Sequence, residues 1–472
     1  MFNRFFFMNA KTNGMSKFNT RKTGFESGII AGKLTDTAGK YSDYELLRRV
    51  TLANMLFESD YYQSADEIMN QIEDLCYRVD GEQIIELALE CRFEQKLRHT
   101  PLWLLILAHE IHGVPVKDAV AKIANRPDMT MDLLQMLKAR NGSYKMSKSI
   151  KKGLAKAFDQ YDEYQIAKYK KSNLELSLVD VVNLVHPKPT SRNEHALKAL
   201  IEDTLQPANT WEAALSQGAD KKETFERMIG EKSLGSLAIL RNLRNMAEAG
   251  VSRQIIKTVI SQVNSSWLTP LNFLSAQKNA PDFTADIDEA MKNCFAQEKI
   301  QGTTILAIDV SGSMGQVTSS QSKFSRMDLA FTMAAAGSYI FEDMILVFTA
   351  GNDGNRKGKH MLWSNGKGLG LFNSYQQIYQ ELGGGGIFTY QLCEWLKEKG
   401  YAKDAERLVV ISDSQDIDAH YGLDRKPDTS AYKNSYIIDI STHTHGIKTG
   451  NWTAEINGWS DKVFHYIKAL EN

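Results

Sequence analysis

The stretch TTILAIDVSGSM, residues 303–314, decides how the C-terminal part of the chain folds. TTILAIDV is an unbroken apolar run rich in β-branched residues. A strand covered by helices on both faces reads this way, whereas a half-solvated strand would alternate. The run ends in Asp309-Val310-Ser311-Gly312-Ser313, at the carboxyl end of the strand, where open α/β sheets gather ligands. Three similar runs follow, MILVFTA, RLVVISDS and SYIIDIS, separated by helix-like stretches such as RMDLAFTMAAAGSYIFED and YQLCEWLKEKG. Strand and helix in alternation predict a doubly wound α/β domain over residues 299–472. The stretch GNDGNRKGKHMLWSNGKGLG reads as a long surface loop or an edge hairpin.

One carboxylate and two hydroxyls, spaced two apart as a chain leaves a strand, can converge on a small cation. Asp309, Ser311 and Ser313 offer hard oxygens only, which suits magnesium or manganese better than zinc. Asp413, at the end of RLVVISDS, is expected to join them, and Thr389 in GGGGIFTYQL can come close on its glycine-rich turn. The alternative is that Asp309 and the serines only cap the next helix. There is no G-x-x-x-x-G-K-[ST] phosphate loop and no nucleophile beside a base, so the chain reads as a binding protein, not an enzyme.

Upstream of residue 300 the texture is different. YELLRRVTLANMLF, EIMNQIEDLCYRV, EQIIELALECRF, LLQMLKAR, LAILRNLRNMAEAG and SRQIIKTVISQV all carry 3.6-residue apolar periodicity. Breaks at Gly81, Gly113, Pro127, Gly142, Pro187, Pro207, Gly250 and Pro281 separate them. Helix after helix with short connections predicts an α-solenoid over residues 27–298, preceded by a flexible segment, 1–26. PLWLLILAHEI, from Pro101 to Ile111, is too short for a membrane span and reads as a buried helix. The N-terminus lacks the apolar region and cleavage site of a signal peptide. Four scattered cysteines suggest free thiols in a reducing, cytoplasmic setting. HEIH at 109–112 lacks the four-residue spacing of a zinc helix, and DSQDID resembles a calcium loop only in acidity.

The formal net charge is −1, yet residues 138–171 hold ten Lys or Arg against three Asp or Glu. Such a local excess on a neutral chain is the footprint of selective polyanion binding. Lys145, Lys148, Lys152 and Lys156 follow one helical face, and Met146, Ile150, Leu154 and Ala157 follow the other. Lys168, Lys170 and Lys171 continue the positive run, interleaved with Tyr164 and Tyr169. Lysine rows hold phosphate backbones, and neighbouring aromatic rings stack unpaired bases. The bland alternative is a solvated helix face.

The order of motifs resembles the Ro autoantigen family, a TROVE module followed by a von Willebrand A-type domain. YELLRRVTLANMLFESDYY, LRHTPLWLLILAHE, KYKK…DVVNLVHPKP, LAILRNLRNMAEAGV and LAIDVSGSM carry the resemblance. It implies a ring of HEAT-like helical repeats closed by the A-type domain. It further implies a non-catalytic monomer that binds small non-coding Y-like RNA on a basic face and single-stranded ends of misfolded RNA. The setting implied is RNA quality control beside an exoribonuclease such as polynucleotide phosphorylase. Lys168 and Lys170 fall in the family's K-Y-K element, and Lys148, Lys151 and Lys152 in its preceding basic helix. The A-type domain of such proteins holds its cation with D-x-S-x-S, a Thr and an Asp. That Thr commonly follows two glycines directly, where this chain has Ile387. A second departure is Leu176-Ser177-Leu178 where relatives have W-S-H, whose His contributes to RNA binding. A competing function is a protein-binding scaffold whose metal captures an acidic side chain of a partner.

Overall fold

The computed structural model describes residues 42–53, 65–170, 175–297, 299–317, 324–413, 416–418, 425–440, 451–457 and 463–471. They fall in two compact units, which divide between residues 219 and 220. The expected N-terminal segment, 1–26, lies outside the described residues, as does Lys171.

The first unit is helical in its described residues: α1 (Asp43–Ala53), α2 (Ala65–Cys76), α3 (Gly81–Phe93), α4 (Thr100–His112), α5 (Lys117–Ile123), α6 (Pro127–Asn141), α7 (Lys148–Ala157), α8 (Glu163–Lys168), α9 (Leu178–Val185), α10 (Glu194–Ile201) and α11 (Trp211–Ser216). The breaks read from the sequence act as helix punctuation. Pro127 opens α6, where its missing N–H costs nothing, and Gly113 and Gly142 end α4 and α6 at φ 68° and 70°. α4 is buried continuously from Thr100 to Ala108, as expected of a core helix.

Among the described residues the second unit begins with five helices: α12 (Lys221–Gly230), α13 (Ser236–Glu248), α14 (Arg253–Ile260), α15 (Pro270–Asn279) and α16 (Thr284–Phe295). The change of texture near residue 300 therefore marks the first strand, while the compact unit starts about eighty residues earlier. Strands β1 (Ile300–Asp309), β2 (Phe341–Asn352), β3 (Lys357–Trp363), β4 (Arg407–Ser412), β5 (Asn434–Asp439) and β6 (Ala454–Asn457) follow. Interleaved with them are α17 (Arg326–Ile340), α18 (Tyr375–Leu382), α19 (Thr389–Glu398), α20 (Tyr401–Asp404) and, last, α21 (Val463–Glu471). The leading helices pack directly on this layer. Leu271 and Leu274 of α15 meet Leu329 of α17, and Asp288 of α16 accepts from the Tyr339 hydroxyl at 2.8 Å and the Leu369 N–H at 2.7 Å.

The sheet order is β3-β2-β1-β4-β5-β6, parallel except for β3, which returns antiparallel as an edge hairpin. Ile305 to Ile308 are fully buried, as is nearly all of β4, which accounts for their unbroken apolar reading. The order reverses between β1 and β4, so a crevice opens beyond the carboxyl ends of these two strands. Ile308 stands beside Ile411, which brings Asp309 next to Ser412.

Candidate functional site

At the end of β1 the Asp309 carboxylate is fully buried. One oxygen accepts from the Ser311 N–H at 2.8 Å and the other from the Ser412 hydroxyl at 2.7 Å. The Ser311 and Ser313 hydroxyls lie 3.1 Å apart on the following turn. Asp413 leaves β4 on the adjoining strand, 1 % exposed; its Oδ2 accepts from Arg326 Nη1 at 2.9 Å. Its Oδ1 is buried and accepts no hydrogen bond among the described residues. Burial, and then the charge of Asp413, push the Asp309 carboxyl up to about 7. Two buried carboxylates in one crevice, one with an unsatisfied oxygen, lower their energy by taking up positive charge. Hard oxygens plus that orphaned atom fit a magnesium-class cation; among the described residues no group of three or more His, Cys, Asp or Glu is placed to hold a metal ion.

Thr389 is placed differently from the other expected ligands. It opens α19, and both its N–H (3.1 Å) and its hydroxyl donate to Asp416. Asp418 takes the Gln391 N–H at 3.1 Å. Phe388, the residue before the helix, supplies no side-chain cap, so these two aspartates from a distant segment satisfy the free N–H groups of α19. The acidic cluster DSQDID is thus, at Asp416 and Asp418, a helix cap. Ile387, at the position relatives give to Thr, is fully buried. The glycine run meets the D-x-S-x-S turn through backbone: Gly384 O accepts from the Gly312 N–H at 2.9 Å, and a Cβ on Gly312 would stand 2.8 Å from that oxygen.

Sequence reasoning missed Arg326, which is 2 % exposed and reaches both Asp413 and, at 3.4 Å, the Ser313 carbonyl. Its signal was present in Ser325-Arg326-Met327-Asp328, a capping box that fixes Arg326 as the first residue of α17.

On the first unit, α7 buries Ile150, Gly153, Leu154 and Ala157 and turns Lys148, Lys152 and Lys156 to solvent, with Lys151 half-buried. The helix starts at Lys148 with Ser147 as its cap, so Lys145 and Met146 precede it instead of forming its first turn; Lys145 is exposed all the same and Met146 packs on the core. Lys156 pairs with Asp118 at 2.8 Å and Lys170 with Asp203 at 2.9 Å. Lys145, Lys148, Lys151 and Lys152 have no ion-pair partner among the described residues. Lys168 lies over the rings of Tyr164 (5.5 Å) and Tyr169 (5.9 Å), and Arg126 covers Tyr169 at 5.3 Å. Leu176 and Leu178 are core residues, and Ser177 between them caps α9. The W-S-H position is therefore apolar because it is buried. His109 and His112 each bond a backbone carbonyl at 2.8 Å, Val114 and Cys76 respectively, which gives the HEIH pair a structural role.

Two comparisons bear on this arrangement. The TROVE domain family matches residues 203–343. The crystal structure of the Deinococcus radiodurans Ro (RSR) protein superposes with a TM-score of 0.58 at 16 % sequence identity, covering 91 % of this chain and 99 % of that one. A helical region followed by an α/β sheet is the fold the two chains share. No curated protein matches the chain by sequence.

Proposed function

We propose that this chain, a TROVE-domain protein with the fold of a Ro protein, binds RNA without acting on it chemically. The carrying observation is the lysine face of the first unit: Lys145, Lys148, Lys151 and Lys152 without ion-pair partners among the described residues, continuing to Lys168 among tyrosines. Unneutralised ammonium groups on a rigid helix release counterions when a phosphate backbone docks. Exposed Tyr164 adds a surface on which an unpaired base can stack. The RNA proposed is a small non-coding RNA of the Y type, together with single-stranded ends of misfolded RNA. The setting is RNA quality control, by a cytoplasmic monomer beside an exoribonuclease such as polynucleotide phosphorylase. No helix among the described residues is long and apolar enough to cross a membrane.

Asp309, Ser311, Ser313 and Asp413 would hold a magnesium or manganese ion, while Thr389, the remaining expected ligand, bonds Asp416. When bound, such an ion supplies a Lewis-acidic position for an acidic side chain of a protein partner. This second role rests on the orphaned Asp413 oxygen. It sits on the other unit from the lysine face, so the two roles are separable by mutation.

The test uses the pairing differences among the lysines. Lys148→Gln/Lys152→Gln should weaken binding of single-stranded RNA at least tenfold in filter binding at moderate salt. Lys156→Gln, which removes a lysine already neutralised by Asp118, should weaken it less than threefold. Equal losses in both variants would count against the proposed face, and so would no loss in either.

A further inference from the structure

The crevice contains a cation of its own, the Arg326 guanidinium, which the metal reading leaves without a role. Arg326 is fixed at both ends. Its N–H donates to the Gln316 carbonyl at 2.9 Å, and Ser325 and Asp328 close a reciprocal capping box around it at 2.9 and 3.0 Å. Lys278 of α15 pins Asp328 at 2.6 Å. From this anchored start the side chain runs inward, 3 % exposed, and its Nη1 meets Asp413 Oδ2 at 2.9 Å and the Ser313 carbonyl at 3.4 Å. It therefore touches both halves of the crevice, the turn after β1 and the end of β4.

We propose that Arg326 is a built-in counter-ion that sets how strongly this crevice takes a divalent cation, holding the affinity low. The proposal rests on the cation reading of Asp309, Ser311, Ser313 and Asp413. With both aspartates ionised and Arg326 in place, the crevice carries a net −1; without the guanidinium it would carry −2. A dication entering beside a buried, immobile guanidinium meets repulsion that water screens poorly, and finds one oxygen of Asp413 already engaged. Arg cannot relieve this by losing its proton. The pair also has a job in the absence of metal, since an uncompensated buried carboxylate is strongly destabilising. Arg326 thus exchanges metal affinity for a crevice that stays folded when empty of metal. The orphaned Asp413 Oδ1 is the atom left to an incoming ion.

The test is manganese binding to the full-length chain, read from the electron paramagnetic resonance of free Mn(II), with no activity measured. Arg326→Gln should bind Mn(II) at least tenfold more tightly than wild type and gain more thermal stability on its addition. Arg326→Lys, which keeps the charge, should stay near the wild-type affinity. Arg326→Met, which removes the charge at similar side-chain length, should show the same gain, and it carries the test if Arg326→Gln does not fold. Unchanged or weaker binding by Arg326→Gln or Arg326→Met, or an equal gain in Arg326→Lys, would overturn the proposal. Asp309→Ala serves as the separate control. If every chain binds Mn(II) and Asp309→Ala binds it as wild type does, the cation reading of the crevice is what fails; if Asp309→Ala abolishes binding while Arg326→Gln does not tighten it, only the role of Arg326 fails.

Discussion

At Thr389 one hydroxyl serves two accounts, helix capping and metal binding, and they can be separated. Its bond to Asp416 sits in full burial, where burial raises the Asp416 carboxyl to about 7 against the hydrogen bonds that lower it. Thr389→Val would leave a buried carboxylate oxygen without its donor, at a cost of about 1–3 kcal/mol in urea unfolding. Thr389→Ala should weaken Mn(II) binding less than Asp309→Ala, which removes the charged group of the first motif. A wild-type urea midpoint for Thr389→Val would contradict the cap. His360 offers a pH test. Burial holds its imidazole down at about 4, with Nδ1 2.9 Å from the Thr349 hydroxyl. An unfolded His takes its proton near 6.5, so the unfolded chain binds more protons and stability is lost as pH falls from about 6.5 toward 4, by up to about 1.4 kcal/mol per pH unit. Asp309 and Asp416, raised to about 7, act with the opposite sign across that range. The difference between wild type and His360→Asn isolates the imidazole: the variant should lose less stability on acidification from pH 6.5 to 4. An identical acid dependence would contradict it. At this scale the neighbouring placement of Asp309, Ser311, Ser313 and Asp413 was legible because one strand-end motif and one strand-end Asp fall on adjacent strands of a parallel sheet. The capping box placed Arg326 at the start of α17, but its reach to Asp413 was not legible, because nothing in a sequence says which way a helix's first side chain turns.

At the scale of elements, α7 shows what periodicity conveys and what it omits. The alternation of lysines with Ile150, Leu154 and Ala157 gave its two faces correctly, since a 3.6-residue repeat fixes facing whatever the helix packs on. The start at Ser147, two residues beyond Lys145, is set by a side-chain cap that the repeat does not reveal. Gly153 explains how closely the helix is docked: a Cβ there would stand 2.7 Å from both the Lys117 carbonyl and Val120 Cβ. Gly153→Ala should therefore destabilise the first unit by about 1–3 kcal/mol despite its better helix propensity, because the obstructing atoms include backbone. A variant at least as stable as wild type in urea would show that α5 and α7 can separate freely. The cap on α19 was illegible for another reason. Asp416 lies 27 residues from Thr389, and no local pattern links them. β6 escaped notice because its four residues, AEIN, carry only one apolar position beyond Ala.

At the scale of the whole molecule, the sequence placed a boundary where strands begin, but packing places it at residue 220, because amphipathic texture does not show what a helix packs against. The TROVE match, residues 203–343, crosses that division and begins after the lysine face, so the RNA reading stands on the geometry of the face itself. A net charge of −1 conceals an excess of seven positive charges within residues 138–171. The measurement that tests the account most directly is the dependence of RNA affinity on salt, in wild type and in Lys148→Gln/Lys152→Gln. If two ammonium groups each displace counterions from a single strand, the slope of log affinity against log salt should flatten by about 1.4 in the double variant. An unchanged slope with unchanged affinity would contradict the claim that this face holds RNA.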